Sequence, residues 1–133
     1  MELTWQDELH IKFNHLFECG ENGRILRGIE VGQGWSKHVE SLLETFDWHR
    51  THNVPKGKTE NLIKIFQIKE KFGDPRVYYD YDNDHIATML AETVGRFEGK
   101  CQLTCEKCST LHKNGITSKN GWLYCLCSDC LSK

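Results

Sequence analysis

Two cysteine pairs near the end of the chain constrain its fold more than any other feature. Cys105 and Cys108 form one Cys-x-x-Cys motif, Cys127 and Cys130 form a second, and eighteen residues separate the two motifs. Each motif places two sulfurs within reach of one tetrahedral ion, and the loop between them can fold back so that the second motif completes a four-sulfur shell. The spacing therefore predicts one structural zinc ion; iron fits the same cage and stays an alternative.

Three further side chains near the two motifs are alternative ligands. Cys101, His112 and Cys125 each lie close enough in sequence to replace one of the four cysteines. On an extended run, Cys125 would point to the opposite face from Cys127, which favours a buried thiol at that position. Four thiolates fill the shell of the ion, whereas a catalytic zinc keeps a position for water, so we predict a structural site and no catalytic residues.

The cysteine content also bears on the compartment. Seven cysteines in 133 residues are an odd number that fits a disulfide framework poorly. No apolar run reaches the roughly 20 residues that a membrane span requires, and the first residues do not resemble a secretory signal. We therefore expect a soluble protein in a reducing cytoplasm, with no membrane partner.

The charge balance makes nucleic acid a second choice of partner. The 17 Lys and Arg against 19 Asp and Glu give a net charge of -2, without the dominant basic surface of a general nucleic-acid binder. The cysteine-rich segment nevertheless offers Lys107, Lys113 and Lys119 as phosphate contacts and Trp122 as a platform for base stacking. The alternative interpretation is that these lysines form a solvated rim over a buried aromatic ring and bind no nucleic acid.

Hydrophobic periodicity predicts an α+β body over residues 1–99. Apolar residues recur at helical spacing in three segments, predicting a helix over 4–19 capped by Thr4, a second over 36–50 capped by Ser36, and a third from a cap at Asp82 or Asn83 to Gly99. β-Branched and aromatic residues predict an antiparallel hairpin from strands 62–69 and 76–81. Segment 24–31 predicts a short strand or an extended loop.

Residues 100–133 change character and predict a separate zinc-binding tail. The Asn120-Gly121 turn between the cysteine motifs predicts a small hairpin, and hence a zinc ribbon-like module. The tail has too few apolar residues to close a core without metal. Its apolar side chains are expected to cover the metal site: Leu103, Leu111, Ile116, Trp122, Leu123, Tyr124 and Leu126.

A second group of candidate metal ligands is Asp80, Asp82, Asp84 and His85. Three carboxylates and an imidazole at alternating spacing suit a divalent ion, so a small metal-dependent nuclease is a third hypothesis for the function. The calcium-loop pattern fails, because its twelfth position would be Ala91 rather than an acid. A strand end followed by an acidic first helical turn explains the same residues.

Several short motifs follow one another along residues 34–130. They are Gly34-Trp35 at a helix start, Ile68-Lys69-Glu70-Lys71-Phe72-Gly73, Arg76-x-Tyr78, and the double Cys-x-x-Cys with Trp122 before its second pair. Together they resemble a family of small bacteriophage and prophage proteins. Asp74-Pro75 departs from the smaller glycine-containing turn expected there, and Cys101 and Cys125 are additional to the pattern.

The resemblance implies a phage-related protein of the bacterial cytoplasm. It names no activity, and it favours a non-enzymatic protein that binds and modulates a host or phage protein, in host takeover or against host defence. A nucleic-acid-binding zinc ribbon is the alternative. Neither the motifs nor the composition predicts an oligomeric state.

Overall fold

Helices and two small sheets make up the computed structural model, which describes residues 2–133. The predicted α+β class is confirmed. Three 3-10 turns lie next to the longer elements: Asn14–Leu16, Gln33–Trp35 and Asp84–Ile86. In chain order these elements are α1 (Trp5–Lys12), β1 (Gly28–Glu30), α2 (Ser36–Thr51), β2 (Ile63–Lys71), β3 (Asp74–Tyr81), α3 (Ala87–Gln102), β4 (Thr117–Lys119), β5 (Trp122–Tyr124) and α4 (Ser128–Leu131).

The predicted antiparallel hairpin is formed by β2 and β3. Phe72 and Gly73 make the turn with φ values of 56° and 81°, the pair of positive angles that suits a two-residue hairpin connection. The second strand begins at Asp74, not at residue 76 as the sequence suggested. Pro75 is tolerated there because β3 is an edge strand, in a sheet of order β1-β2-β3.

The third strand of this sheet is β1, which pairs in parallel with β2. Its central residue, Ile29, lies opposite Ile68. Segment 24–31 therefore contains a strand, although only residues Gly28–Glu30 belong to it. Parallel strands require a long crossover, and here the crossover contains α2.

The first helix is shorter than predicted. Thr4 caps α1 through a capping box with Asp7, as expected, but the helix ends at Lys12. Beyond a 3-10 turn the chain extends, Phe17 bridges Ile65 of β2, and the Glu18 N–H donates to the Ile65 carbonyl at 2.9 Å. The apolar residues at the end of this segment are buried as predicted, but Leu16 reaches the core from the 3-10 turn and Phe17 from the extended chain after it.

The other two long helices differ from prediction at their ends. Ser36 is the first residue of α2 rather than its cap, because the 3-10 turn Gln33–Trp35 leads directly into the helix. Asn83 does act as a cap, since its side chain accepts a hydrogen bond from the His85 N–H. The helix that follows, α3, does not stop at Gly99 but runs to Gln102.

One hydrophobic core joins α1, α2, α3 and the three-stranded sheet. No helix within residues 2–133 has the length and apolar character needed to cross a membrane. The largest side chains with under 2% exposure include Trp35, Phe17, Phe46, Ile65, Ile68 and Leu90.

Candidate metal centre

The four cysteines of the two Cys-x-x-Cys motifs converge. The sulfurs of Cys105, Cys108, Cys127 and Cys130 all lie within 4.8 Å of one another, and those of Cys108 and Cys127 are 3.6 Å apart. Four sulfurs at about 2.3 Å from a tetrahedral zinc ion are about 3.8 Å from one another, so the spacing suits one ion. Elsewhere in the described chain, no group of three or more His, Cys, Asp or Glu side chains is arranged to hold a metal.

Short backbone turns place the sulfurs of each pair. In the first motif, the Cys105 N–H donates to the Thr110 carbonyl at 2.8 Å, and the Ser109 N–H donates to the Cys105 carbonyl at 3.0 Å. In the second motif, Cys127 caps α4 and its sulfur accepts a hydrogen bond from the Cys130 N–H at 3.5 Å. Each pair therefore sits on a turn that backbone hydrogen bonds hold in shape.

The thiols of the cluster differ in acidity. Hydrogen bonding to Thr110, whose hydroxyl lies 3.0 Å from the Cys108 sulfur, lowers the pKa of Cys108 to about 6. The neighbouring Cys108 sulfur and burial together raise the pKa of Cys130 to about 12. Metal binding requires thiolates, so an ion entering this site displaces protons from the thiols that still carry them.

The three alternative ligands lie outside the four-sulfur group. Cys125 is fully buried, as predicted for a thiol pointing away from Cys127, and its sulfur lies 3.4 Å from the Cys101 carbonyl and 3.5 Å from His112 Nε2. Burial raises the pKa of Cys101, and it raises that of Cys125 to about 11. These two thiols belong to the hydrophobic core of the body.

The orientation of His112 fits a structural role. The Asn114 N–H donates to His112 Nδ1 at 3.2 Å, so in the neutral ring the proton resides on Nε2, which faces the Cys125 sulfur. A ring held between a backbone N–H and a buried thiol braces the loop that joins the two motifs.

The first cysteine motif docks onto a turn of the body that the sequence did not identify as part of the site. The Gly34 N–H donates to the Glu106 carbonyl at 2.6 Å, and the Gly32 N–H donates to the Glu106 carboxylate at 2.8 Å. Burial raises the pKa of Glu106, while the bond from Gly32 opposes that rise. In return the Ser109 hydroxyl donates to the Gly34 carbonyl at 2.9 Å.

Trp35 extends this contact into the core. Its indole N–H donates to the Thr104 carbonyl at 2.8 Å, and the side chain is fully buried. The Thr104 hydroxyl donates to the Lys100 carbonyl at 2.7 Å and lies 3.0 Å from His38 Nε2. The residue before the first metal-site cysteine is thus fixed by both α2 and α3. The Gly32-x-Gly34-Trp35 motif marks the turn in the sequence, but it does not indicate which segment docks there.

The prediction that apolar tail residues cover the cysteine cluster is wrong for most of them. Only Leu126 packs against the buried cysteines. The other apolar side chains predicted to cover the cluster stay exposed. The exposed members are Leu103, Leu111, Ile116, Trp122, Leu123 and Tyr124.

The candidate nucleic-acid contacts are only partly brought together. Lys119 lies directly opposite Trp122 in the β4–β5 hairpin. Trp122 is 70% exposed and therefore does not form the buried aromatic under a solvated rim. Lys107 and Lys113 are exposed in the loops before the hairpin.

The acidic group around the end of β3 does not form a metal site. Asp82 accepts hydrogen bonds from the Leu62 N–H at 3.0 Å and from Lys58 at 2.8 Å. Asp80 accepts from the neighbouring Tyr81 N–H at 2.9 Å. Asp84 and His85 lie in the 3-10 turn before α3. Asp80 and Asp82 thus bind groups at the strand ends, and Asp84 lies in an acidic first turn, as the alternative explanation expected.

Comparison with known proteins gives no relatives for this chain. No protein-family model, curated protein or solved structure matches it.

Proposed function

We propose that this chain is a phage-type zinc-binding protein that acts in the bacterial cytoplasm by binding and modulating a host or phage protein. The four-thiolate donor set supports zinc, because soft thiolate ligands in a tetrahedral arrangement are typical of structural zinc sites. Four thiolates would leave no coordination position for water, so the ion stabilises a zinc ribbon-like module and takes no part in chemistry.

The exposed apolar surface of the tail is the observation that carries this proposal. Trp122 is 70% exposed and Leu111 is 77% exposed, and both belong to a module that the body and the cysteine cluster hold in place. Large exposed aromatic and aliphatic side chains are typical of protein-binding surfaces, where a tryptophan often contributes most of the binding energy. The tail therefore offers exposed apolar side chains to a partner.

Affinity capture from phage-infected bacterial lysate tests this proposal with a matched pair of variants. Trp122→Ala removes the exposed indole of the tail, and Trp48→Ala removes an indole that is 50% exposed on α2. We expect a captured protein, identified and reconstituted in purified form, to lose at least about tenfold in affinity with Trp122→Ala and little with Trp48→Ala. Equal binding by both variants contradicts the proposal.

A nucleic-acid-binding role is a second candidate because Lys119 stands opposite the exposed Trp122. Proteins that bind single-stranded nucleic acid combine cationic side chains near the backbone phosphates with aromatic rings on which the bases stack. Mobility shift with single-stranded and duplex DNA over a range of salt concentrations tests this role. Binding that weakens steeply with salt and is lost with Trp122→Ala supports it, and an absence of shift at low salt eliminates it.

A further inference from the structure

A narrow groove lies between α2 and α3. Both helices contribute side chains at positions i, i+3, i+4 and i+7. Six of the eight lining side chains are polar: His38, Ser41 and Thr45 from α2, and Thr93, Arg96 and Lys100 from α3. Thr93 is itself only 5% exposed, so the groove reaches below the surface.

The groove carries cations and hydroxyls without any carboxylate in its lining. Among residues 2–133, neither Arg96 nor Lys100 takes part in an ion pair. Burial lowers the pKa of His38, and the charge of Lys100 lowers it further. Unpaired cations that face the same small space repel one another, and a bound anion would relieve that repulsion.

The size of the groove selects a small ligand. Its volume is about 40 Å³. A cavity volume of roughly 10–15 Å³ holds one water, whereas drug-sized ligands occupy pockets of roughly 300–1,000 Å³. The groove therefore has room for one compact anionic group, and any remainder of a larger ligand would lie outside it.

The donors suit a tetrahedral oxyanion. The Arg96 guanidinium supplies a planar fork of N–H groups that matches two oxygens of a phosphate, and Lys100 supplies a point charge. The Arg96 Nη2 lies 3.3 Å from the Thr93 hydroxyl, which places the guanidinium against the wall of the groove. We propose that the groove between α2 and α3 binds a single phosphate group, either as the free anion or as part of a larger phosphate ester.

The surface of α3 next to the groove is open to such a ligand. Gly95 and Gly99 directly precede Arg96 and Lys100, and a β-carbon at either glycine would meet no atom within 4 Å. Glycine inside a helix costs about 1 kcal/mol relative to alanine, and no contact within the described chain requires it at these two positions. Arg96 and Lys100 are themselves exposed, so the two cations are accessible from outside.

Titration with inorganic phosphate at constant ionic strength, followed by NMR, tests the site directly. We expect saturable shifts of the His38 ring and the Arg96 guanidinium signals. Arg96→Gln combined with Lys100→Gln should weaken the binding at least about tenfold, because both charged donors are lost. Lys37→Gln, an exposed α2 lysine outside the groove, is the matched control and should bind as the wild type does.

A second titration with a short single-stranded oligonucleotide identifies the source of the phosphate. If phosphate saturates the groove and the oligonucleotide leaves the same signals unmoved, the site takes the free anion. If the oligonucleotide shifts these signals and phosphate displaces it, the site takes a backbone phosphate. Shifts that do not saturate with either probe, or that persist unchanged in the double variant, overturn the proposal.

Discussion

Gly34 touches the backbone of Cys105 so closely that a β-carbon at position 34 would lie 2.0 Å from the Cys105 carbonyl oxygen. Two hydrogen bonds flank this contact, from the Gly34 N–H to Glu106 and from Ser109 to the Gly34 carbonyl. The first cysteine motif therefore rests on the body, backbone against backbone. The folding of the body and the geometry of the metal site depend on each other.

Gly34→Ala should be strongly destabilising. The added methyl group has no room unless the turn or the motif moves, and overpacking of this kind costs about 1–3 kcal/mol or more. We expect urea denaturation to show a loss of at least about 2 kcal/mol in the free energy of unfolding, together with weaker metal retention.

Gly99→Ala is the matched control, because a β-carbon there meets open space on α3. It should raise the free energy of unfolding by about 0.5–1 kcal/mol through helix propensity. Equal effects of the two substitutions would show that position 34 is not packed against the cysteine motif.

Asn61 is a buried polar side chain that the sequence did not single out. Its amide donates to the His49 and His52 carbonyls at 2.7 and 2.9 Å, and its oxygen accepts from Asn83 at 2.9 Å. Asn61→Ala leaves these groups without partners, which should cost about 2–4 kcal/mol in urea denaturation. Asn22→Ala, at an exposed loop, should cost much less.

Local signals in the sequence predicted the α+β class, the β2–β3 hairpin and the convergent cysteines. The parallel pairing of Ile29 with Ile68 and the docking of Gly34 on Cys105 join residues far apart in the chain, and no local pattern encodes them. The end of α1 was misjudged for the same reason, since Phe17 leaves the helical path to pair with Ile65.

The exposure of the tail was also unpredictable from hydrophobicity. Trp122 and Leu111 are apolar enough to suggest burial, yet the cysteine cluster is covered by Leu126 and by the backbone of the body turn instead. A metal-ordered module can leave large apolar side chains exposed, because the ion replaces the hydrophobic core that would otherwise bury them.

The folding stability should fall as the pH drops below neutrality. His10 Nε2 accepts a hydrogen bond from the Ile29 N–H at 3.1 Å, and burial lowers the pKa of His10 below its usual value of 6.5. The unfolded chain then binds more protons than the folded one, so the contribution of His10 is complete above pH 6.5 and is lost as the pH falls through the lowered pKa.

His10→Gln isolates this contribution, because the glutamine oxygen can accept the same bond without titrating. Thermal unfolding of the variant between pH 7.5 and 5 should show a shallower loss of stability than the wild type. A residual slope is expected, since burial also lowers the pKa of His38 and His49. Identical slopes for the two proteins contradict the role of His10.

Removal of the metal should weaken the hydrogen bond that the Trp35 indole makes. Its indole N–H donates to the Thr104 carbonyl, directly before Cys105, so loosening of the motif weakens this bond. Hydrogen exchange of the Trp35 indole, followed by NMR, should be slow in the metal-loaded protein and much faster after chelation. Unchanged protection would mean that the body holds Thr104 without help from the ion.

Elemental analysis of protein purified under reducing conditions tests the central claim most directly. We expect about one zinc per chain in the wild type and in Cys19→Ser, whose thiol lies outside the four-sulfur group, and a loss of most bound metal in Cys105→Ser. Iron in place of zinc would identify a different ion in the same cage. A wild-type protein without metal, or a Cys105→Ser variant that retains it fully, would contradict the four-thiolate zinc site.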